Sequence, residues 1–292
     1  MEEDQLLASY LAAVQHVGGG ERPEFRHGQF HDVVLAGDVA YRFPRDEESR
    51  RALPGRVALL RVLGNCRLPV ATPVPLTTAP AAQHEALGRC HVALSRLRGQ
   101  PLEREQAISP RSEPIVIAEL GRLLDALSEL GTDPAVARVV PGADPDRWVR
   151  FASDVDRVLF PLMPERGRRR AEAELAKVAA VDPVGTALVH GDLGGTNLLW
   201  TVPESGPHLA GVLDWDEAQL GNPADDLASL AVTFGWPLAE RLDASRHAGR
   251  SPTIGDARTI AATFALQQAL PAALSGDSAM LADGLAGYVG QA

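Results

Sequence analysis

The sequence predicts an α+β fold in which short strands occupy the first third of the chain and helices dominate the rest. Three observations lead there. Short β-prone runs alternate with turn residues between Phe25 and Leu97. From Leu120 onward, apolar residues recur at helical spacing. A polar, glycine-rich loop between two short apolar strands then interrupts the helical part at residues 187–201. With 292 residues, 45% of them hydrophobic, the chain can bury the core of one large domain or two modest lobes.

In chain order, Leu6, Leu7, Tyr10, Leu11 and Val14 share one face of an expected opening helix, which Gly18-Gly19-Gly20 stops. Phe30 to Leu35 and Val39 to Phe43 form an expected hairpin around the turn pair Gly37-Asp38. Leu53-Pro54-Gly55 opens a helix with Pro54 in its first turn and Val57, Leu60 and Leu63 on its apolar face. Four prolines between Pro69 and Pro80 impose extended or turn backbone. A strand from His91 to Leu97 follows, stopped by Gly99-Gln100-Pro101, and the lobe boundary falls there: residues 1–97 and 98–292. Beyond it, helices are expected through Leu120 to Leu130, Trp148 to Leu162 and Arg168 to Val181.

The formal charge of -10 counts against nucleic acid or an anionic membrane as partner, because both need a positive field, and it favours a cationic one. No run approaches the ~18 apolar residues of a membrane span. The acidic start, without a basic and then apolar segment, leads us to expect a cytoplasmic protein. Cys66 and Cys90 read as buried, reduced thiols.

Chemistry concentrates between residues 187 and 230. Ala187-Leu188-Val189 delivers the loop His190-Gly191-Asp192-Leu193-Gly194-Gly195-Thr196-Asn197, and the strand Leu209 to Leu213 ends in Asp214-Trp215-Asp216. An Asp, an Asn five residues later and a second Asp beyond a hairpin follow the pattern of phosphoryl-transfer loops. The residue types suit that reaction. A hard cation held by carboxylate and amide oxygens neutralises charge on the moving phosphoryl group, and another carboxylate orients the acceptor hydroxyl. Asp192 is the candidate base; Asn197 and Asp214 are the candidate Mg²⁺ ligands. Asn222, Pro223, Asp225 and Asp226 read as an ordinary helix start, with Asn222 as cap and the acids on the positive helix end.

With these loops in view, the chain resembles the aminoglycoside phosphotransferase-like kinases. Gly28 to His31, Arg42-Phe43-Pro44, Leu53 to Arg56, Thr263 to Gln268 and Leu281 to Leu285 look most like the viomycin and capreomycin group of that family. The resemblance implies a bilobal, protein-kinase-like fold with a small antiparallel-sheet N-lobe, a hinge and a larger helical C-lobe. It implies ATP or GTP with Mg²⁺ between the lobes, with backbone groups of the hinge residues Ser95 and Leu97 on the nucleobase. As acceptor it implies a cationic cyclic peptide antibiotic of the tuberactinomycin type, phosphorylated on a hydroxyl. An aminoglycoside, a macrolide or another small alcohol would use the same machinery. A non-catalytic nucleotide-binding or drug-sequestering protein is the alternative of another class.

Two departures from the kinase pattern stand out. The strand lysine that contacts phosphates is missing: Lys177 is the only lysine and lies in a C-lobe helix, so Arg42 is the expected cofactor-binding cation. The helix from Pro54 to Leu63 carries no acid to pair with that cation; Arg56 stands near the spot, and Asp46, Glu47 and Glu48 are the nearest carboxylates. The Gly28 loop has one glycine where a phosphate cover has three. Asp216 and Glu217 are the candidate contacts for a cationic acceptor, ahead of His31 and Gln29.

Overall fold

The structure is a computed structural model that describes residues 8–11, 23–28, 31–76, 82–84, 89–246 and 253–289. Its N-terminal part is built on β1 (Glu24–His27), β2 (His31–Ala36), β3 (Val39–Pro44), α1 (Glu47–Leu63), β4 (Ala82–His84) and β5 (Arg89–Ser95). The five strands form one antiparallel sheet in the order β1-β2-β3-β5-β4. The expected hairpin is present, with Ala36 opposite Val39 and Gly37 at φ +58°, where a side chain would be strained. Val34 and Phe43 from this pair meet Tyr10, whose ring lies 4.2 Å from that of Phe43 and whose hydroxyl donates to Asp32. Most of the expected opening helix, and Gln29, lie outside the described residues.

The helix α1 begins seven residues before the expected Pro54 start. Asp46 caps it, its Oδ1 accepting from the Ser49 amide at 2.7 Å, and Glu47 and Glu48 sit favourably in the first turn. These signals outweigh an interior proline, which removes one helical hydrogen bond while Leu53, Val57, Leu60 and Leu63 bury their side chains. The strand β5 ends at Ser95 rather than Leu97. Its partner β3 starts at Val39, and the chain then swings to the C-terminal part, where Gln100 and Trp200 exchange backbone hydrogen bonds at 2.9 and 2.8 Å.

The C-terminal part contains α2 (Arg104–Ala107), α3 (Glu113–Leu130), α4 (Pro134–Ala137), α5 (Arg147–Val158) and α6 (Glu165–Val178). After β6 (Ala187–Val189), β7 (Leu198–Thr201), β8 (His208–Val212) and β9 (Gln219–Gly221) come α7 (Ala224–Phe234), α8 (Trp236–Arg246), α9 (Ile254–Ala261), α10 (Phe264–Ser275) and α11 (Ser278–Val289). The helix expected from Trp148 to Leu162 ends at Val158 and continues as a tight turn, Phe160–Leu162, around Pro161. The next runs three residues earlier than expected, from Glu165.

Val116, Leu120, Leu123 and Leu127 give α3 a fully buried stripe in the main core, which also takes in α1, β5, both C-terminal strand pairs and α7. Each such leucine contributes about 1.5–3 kcal/mol of burial. A second cluster, Val155, Leu159, Leu175, Leu266, Leu285 and Tyr288, joins α5 and α6 to the last two helices. Two small antiparallel pairs, β6 with β9 and the hairpin β7 with β8, carry the loops of interest. Among the described residues no helix is long and apolar enough to cross a membrane. Cys66 is free and partly buried; the side chain of Cys90 lies outside the described residues.

Candidate active site

β6 and β9 hold the first loop from beneath. His190, at the end of β6, is fully buried, and its Nε2 donates to the Leu213 carbonyl at 2.8 Å. Its Nδ1 accepts from the Asp192 amide at 3.3 Å, and burial lowers its pKa, so the ring is neutral with its proton on Nε2. His190 therefore ties the start of one loop to the end of β8, with Trp215 at 4.7 Å between ring centroids. Gly191 follows at φ +86°, and a Cβ there would lie 2.5 Å from the Glu217 carbonyl oxygen. Only glycine lets the two loops approach this closely.

Asp226 fixes the same turn from the other side. Its two oxygens accept from the His190 amide at 2.9 Å and the Gly191 amide at 3.0 Å. Asp225 beside it pairs with Arg147 at 2.9 Å. The expected cap also moves by one residue: α7 starts at Ala224, whose amide donates to Asn222 Oδ1 at 3.0 Å. Both acids are buried, so they are structural anchors rather than helix-end charges facing water. The signal for this was present, because α7 is apolar on nearly every face and a carboxylate within it must find internal donors.

Burial raises the Asp226 pKa to about 7, against the pull of the two amides. Because the folded value lies above the unfolded one near 3.8, the folded chain binds the extra proton between these pH values. The stability contribution of Asp226 therefore falls as pH rises from about 4 to 7, by up to about 1.4 kcal/mol per unit. Urea unfolding across this range should show Asp226→Asn gaining stability relative to the wild type as pH rises; parallel curves would refute the assignment.

Within the loop, Asn197 donates from Nδ2 to the Asp192 carbonyl at 2.8 Å and to Asp192 Oδ2 at 2.9 Å. That leaves Asn197 Oδ1 without a partner among the described residues. The Gly195 amide donates to Thr233 Oγ1 at 3.0 Å, which pins the loop to α7. In the second loop Asp214 adopts φ +55°, a strained conformation for a residue other than glycine, and keeps its carboxylate 45% exposed. The Leu213 amide donates to the Asn197 carbonyl at 2.8 Å, so the two loops are joined directly.

Arg42 reaches this pair from β3. Its NH1 and NH2 donate to Asp216 Oδ1 and Oδ2 at 2.9 and 2.7 Å, and NH2 also donates to Asp214 Oδ1 at 2.8 Å. Burial works against the charge of Arg42, but Asp214 and Asp216 outweigh it and hold its pKa above that of an ordinary arginine. The partner of this cation is thus Asp216, not Asp46, Glu47 or Glu48. Asp216, expected to meet a cationic acceptor, is 10% exposed and has both oxygens committed to Arg42. Glu217 is exposed and backs onto Gly191, outside the lining of the cleft.

Arg42, Asp192, Asn197, Asp214 and Asp216 all line one cleft of about 600 Å³ between the sheet and the C-terminal strand pairs. Its apolar lining comes from Val33, Leu35, Ala40 and Leu94 of the sheet and from Leu199 and Leu213 of the C-terminal part. Ser95 and Leu97 line it too. The Ser95 amide donates to the Val74 carbonyl and its Oγ accepts from the Val74 amide, both at 2.9 Å, while the Leu97 amide has no partner among the described residues. The lining residue Leu199, together with Gln100 and Pro101, carried no sequence signal; ordinary strand and turn patterns describe them equally well.

An antiparallel sheet beside a helical part, with a partly apolar cleft that also holds a carboxylate, an amide and a guanidinium, is an arrangement suited to phosphoryl transfer. The chain belongs to the phosphotransferase enzyme family (APH), whose profile matches residues 22–261. It is 40% identical over 288 residues to the viomycin phosphotransferase of Streptomyces vinaceus, with 99% of each chain covered. Among solved structures it is similar to the GDP complex of wild-type aminoglycoside 2'-phosphotransferase-IIIa, with a TM-score of 0.81, 18% identity and 98% and 97% of the two chains covered. It is also similar to macrolide 2'-phosphotransferase type I, with a TM-score of 0.73, 22% identity and 100% and 99% covered.

Proposed function

We propose that this phosphotransferase moves the γ-phosphoryl group of ATP or GTP to a hydroxyl of a tuberactinomycin-type cyclic peptide antibiotic such as viomycin or capreomycin. The observation that carries the acceptor class is the 40% identity to viomycin phosphotransferase across 99% of both chains. An acidic protein of formal charge -10 also suits a polycationic acceptor. In this reading residues 1–97 are the nucleotide lobe and 98–292 carry the catalytic loops and the acceptor site.

The nucleobase enters the apolar part of the cleft, between Val33 and Ala40 of the sheet and Leu199 of the C-terminal part, with the Leu97 amide available to its edge. The triphosphate extends toward Arg42. Asn197 Oδ1 and the exposed carboxylate of Asp214 fit Mg²⁺, a hard ion that takes few protein oxygens and completes its shell with water and phosphate. When bound, that ion neutralises charge on the phosphates.

Asp192 has one carboxylate oxygen held by Asn197, which aims the other at the acceptor. The acceptor hydroxyl gives its proton to Asp192 while its oxygen bonds to the γ-phosphorus. The bond from that phosphorus to the β–γ bridging oxygen breaks, and nucleoside diphosphate leaves. Mass spectrometry of viomycin and capreomycin after incubation with enzyme, Mg²⁺ and ATP or GTP tests this. One added phosphoryl group is expected on at least one of them. Unchanged peptides, with phosphate appearing instead on an aminoglycoside, a macrolide or a small alcohol, would overturn the acceptor class.

A further inference from the structure

Two guanidinium groups converge on Asp216, and only one is satisfied. Arg42 uses both terminal nitrogens on Asp216, and its NH2 is shared further with Asp214 and with His31 Nδ1 at 3.2 Å. Its NH2 is therefore fully committed, while one hydrogen of NH1 and the Nε–H take no partner among the described residues. Arg56, from α1, brings its NH1 to 3.2 Å from Asp216 Oδ2, within ion-pair range but without hydrogen-bond alignment. NH1 is buried and has no hydrogen-bond partner among the described residues.

A second orphan lies beside it. Because His31 Nδ1 accepts from Arg42, the ring proton sits on Nε2, which is also buried and without a partner. Arg56 and His31 both line the cleft next to Arg42. Buried N–H groups are nearly always hydrogen-bonded, so two donors without an aligned acceptor, on side chains that line a ligand cleft, suit an acceptor-rich ligand, and Arg56 keeps 20% of its side chain exposed. Guanidinium offers only donors, and phosphate oxygens are its best-matched acceptors.

We propose that Arg56 is a phosphate-positioning residue, donating to β- or γ-phosphate oxygens of the bound nucleoside triphosphate from a base shared with Arg42 on Asp216. The proposal rests on the reading of the cleft as a nucleotide site. It reverses the charge logic of a helix acid paired with a strand cation: here the helix supplies the second cation and the loop supplies the acid. Asp216 holds both side chains in place before the ligand arrives, so less orientational freedom is lost on binding.

The test is calorimetric titration of the full chain and Arg56→Gln with the preferred nucleoside triphosphate, its diphosphate and the bare nucleoside, with Mg²⁺ present. Arg56→Gln should weaken triphosphate binding roughly 10- to 100-fold, as expected for a charge-assisted contact, and leave nucleoside affinity within about twofold; an equal loss for the diphosphate assigns the contact to the β-phosphate and no loss there to the γ-phosphate. In turnover the KM for nucleotide should rise while the KM for the acceptor stays put, and Arg56→Lys should recover part of the loss. Unchanged triphosphate affinity, or an equal loss for the bare nucleoside, would overturn the proposal. Should Arg56→Gln fail to fold, Arg56→Met, which keeps the apolar stem, carries the same comparison. A wild-type chain that binds neither triphosphate nor nucleoside would instead remove the nucleotide reading itself.

Discussion

Asp192→Asn should lower kcat by roughly 10²- to 10⁴-fold, the range for loss of a positioned general base, with little change in nucleotide affinity. The amide is isosteric and its oxygen can still accept from Asn197 Nδ2, so the loop geometry that Asn197, His190 and Asp226 maintain should survive. Asp192 itself is exposed, so the substitution leaves the core untouched. Stopped-time assays of nucleoside diphosphate release with a tuberactinomycin acceptor measure the loss, and a thermal melt alongside checks the fold. Retention of near wild-type kcat would remove Asp192 from the base role.

Arg42→Ala should damage both stability and turnover. Asp216 would keep its largely buried position while losing both of its hydrogen bonds to Arg42, and breaking a buried pair costs about 3–5 kcal/mol. Arg56, 3.2 Å away, softens that penalty, so a loss of about 2–3 kcal/mol is expected by urea unfolding. The nucleotide KM should rise together with a fall in kcat, because the phosphates and Asp214 lose a common neighbour. The double variant Arg42→Ala with Asp216→Asn should recover much of the stability but not the kinetics, since the stranded charge is gone and the grip is not restored. Wild-type kinetics in Arg42→Ala would end its assignment to the phosphates.

Asp192 and Arg42 differ in how far along the chain their partners lie, 5 residues for Asn197 and 174 for Asp216. Asp192, Asn197 and Asp214, the proposed base and metal ligands, stand out because they sit at short spacings in the loops that join β6 to β7 and β8 to β9, and local sequence controls such loops. The Gly37-Asp38 hairpin and the leucine stripe of α3 were legible for the same reason. The start of α1 was misplaced where two local signals competed: Pro54 favoured a late start, and the Asp46 cap with two following glutamates won. The three-residue strand β4 left no pattern long enough to detect.

Partnerships across the cleft were another matter. Arg42 and Asp216 lie 174 positions apart, and the charges of Asp46, Glu47 and Glu48 offered nearer candidates. Likewise Asp226, from the first turn of α7, binds amides 35 and 36 residues upstream, where helix-end electrostatics had given it a sufficient local explanation. The chain alone determined the Gly37-Asp38 hairpin, the buried stripe of α3, the two loops and the identity of the charged groups, because backbone propensity and spacing act over a few residues. Which acid meets which cation was decided only when the sheet closed over the C-terminal strand pairs, since a charge in the sequence has a sign but acquires a partner, and a desolvation cost, only through packing.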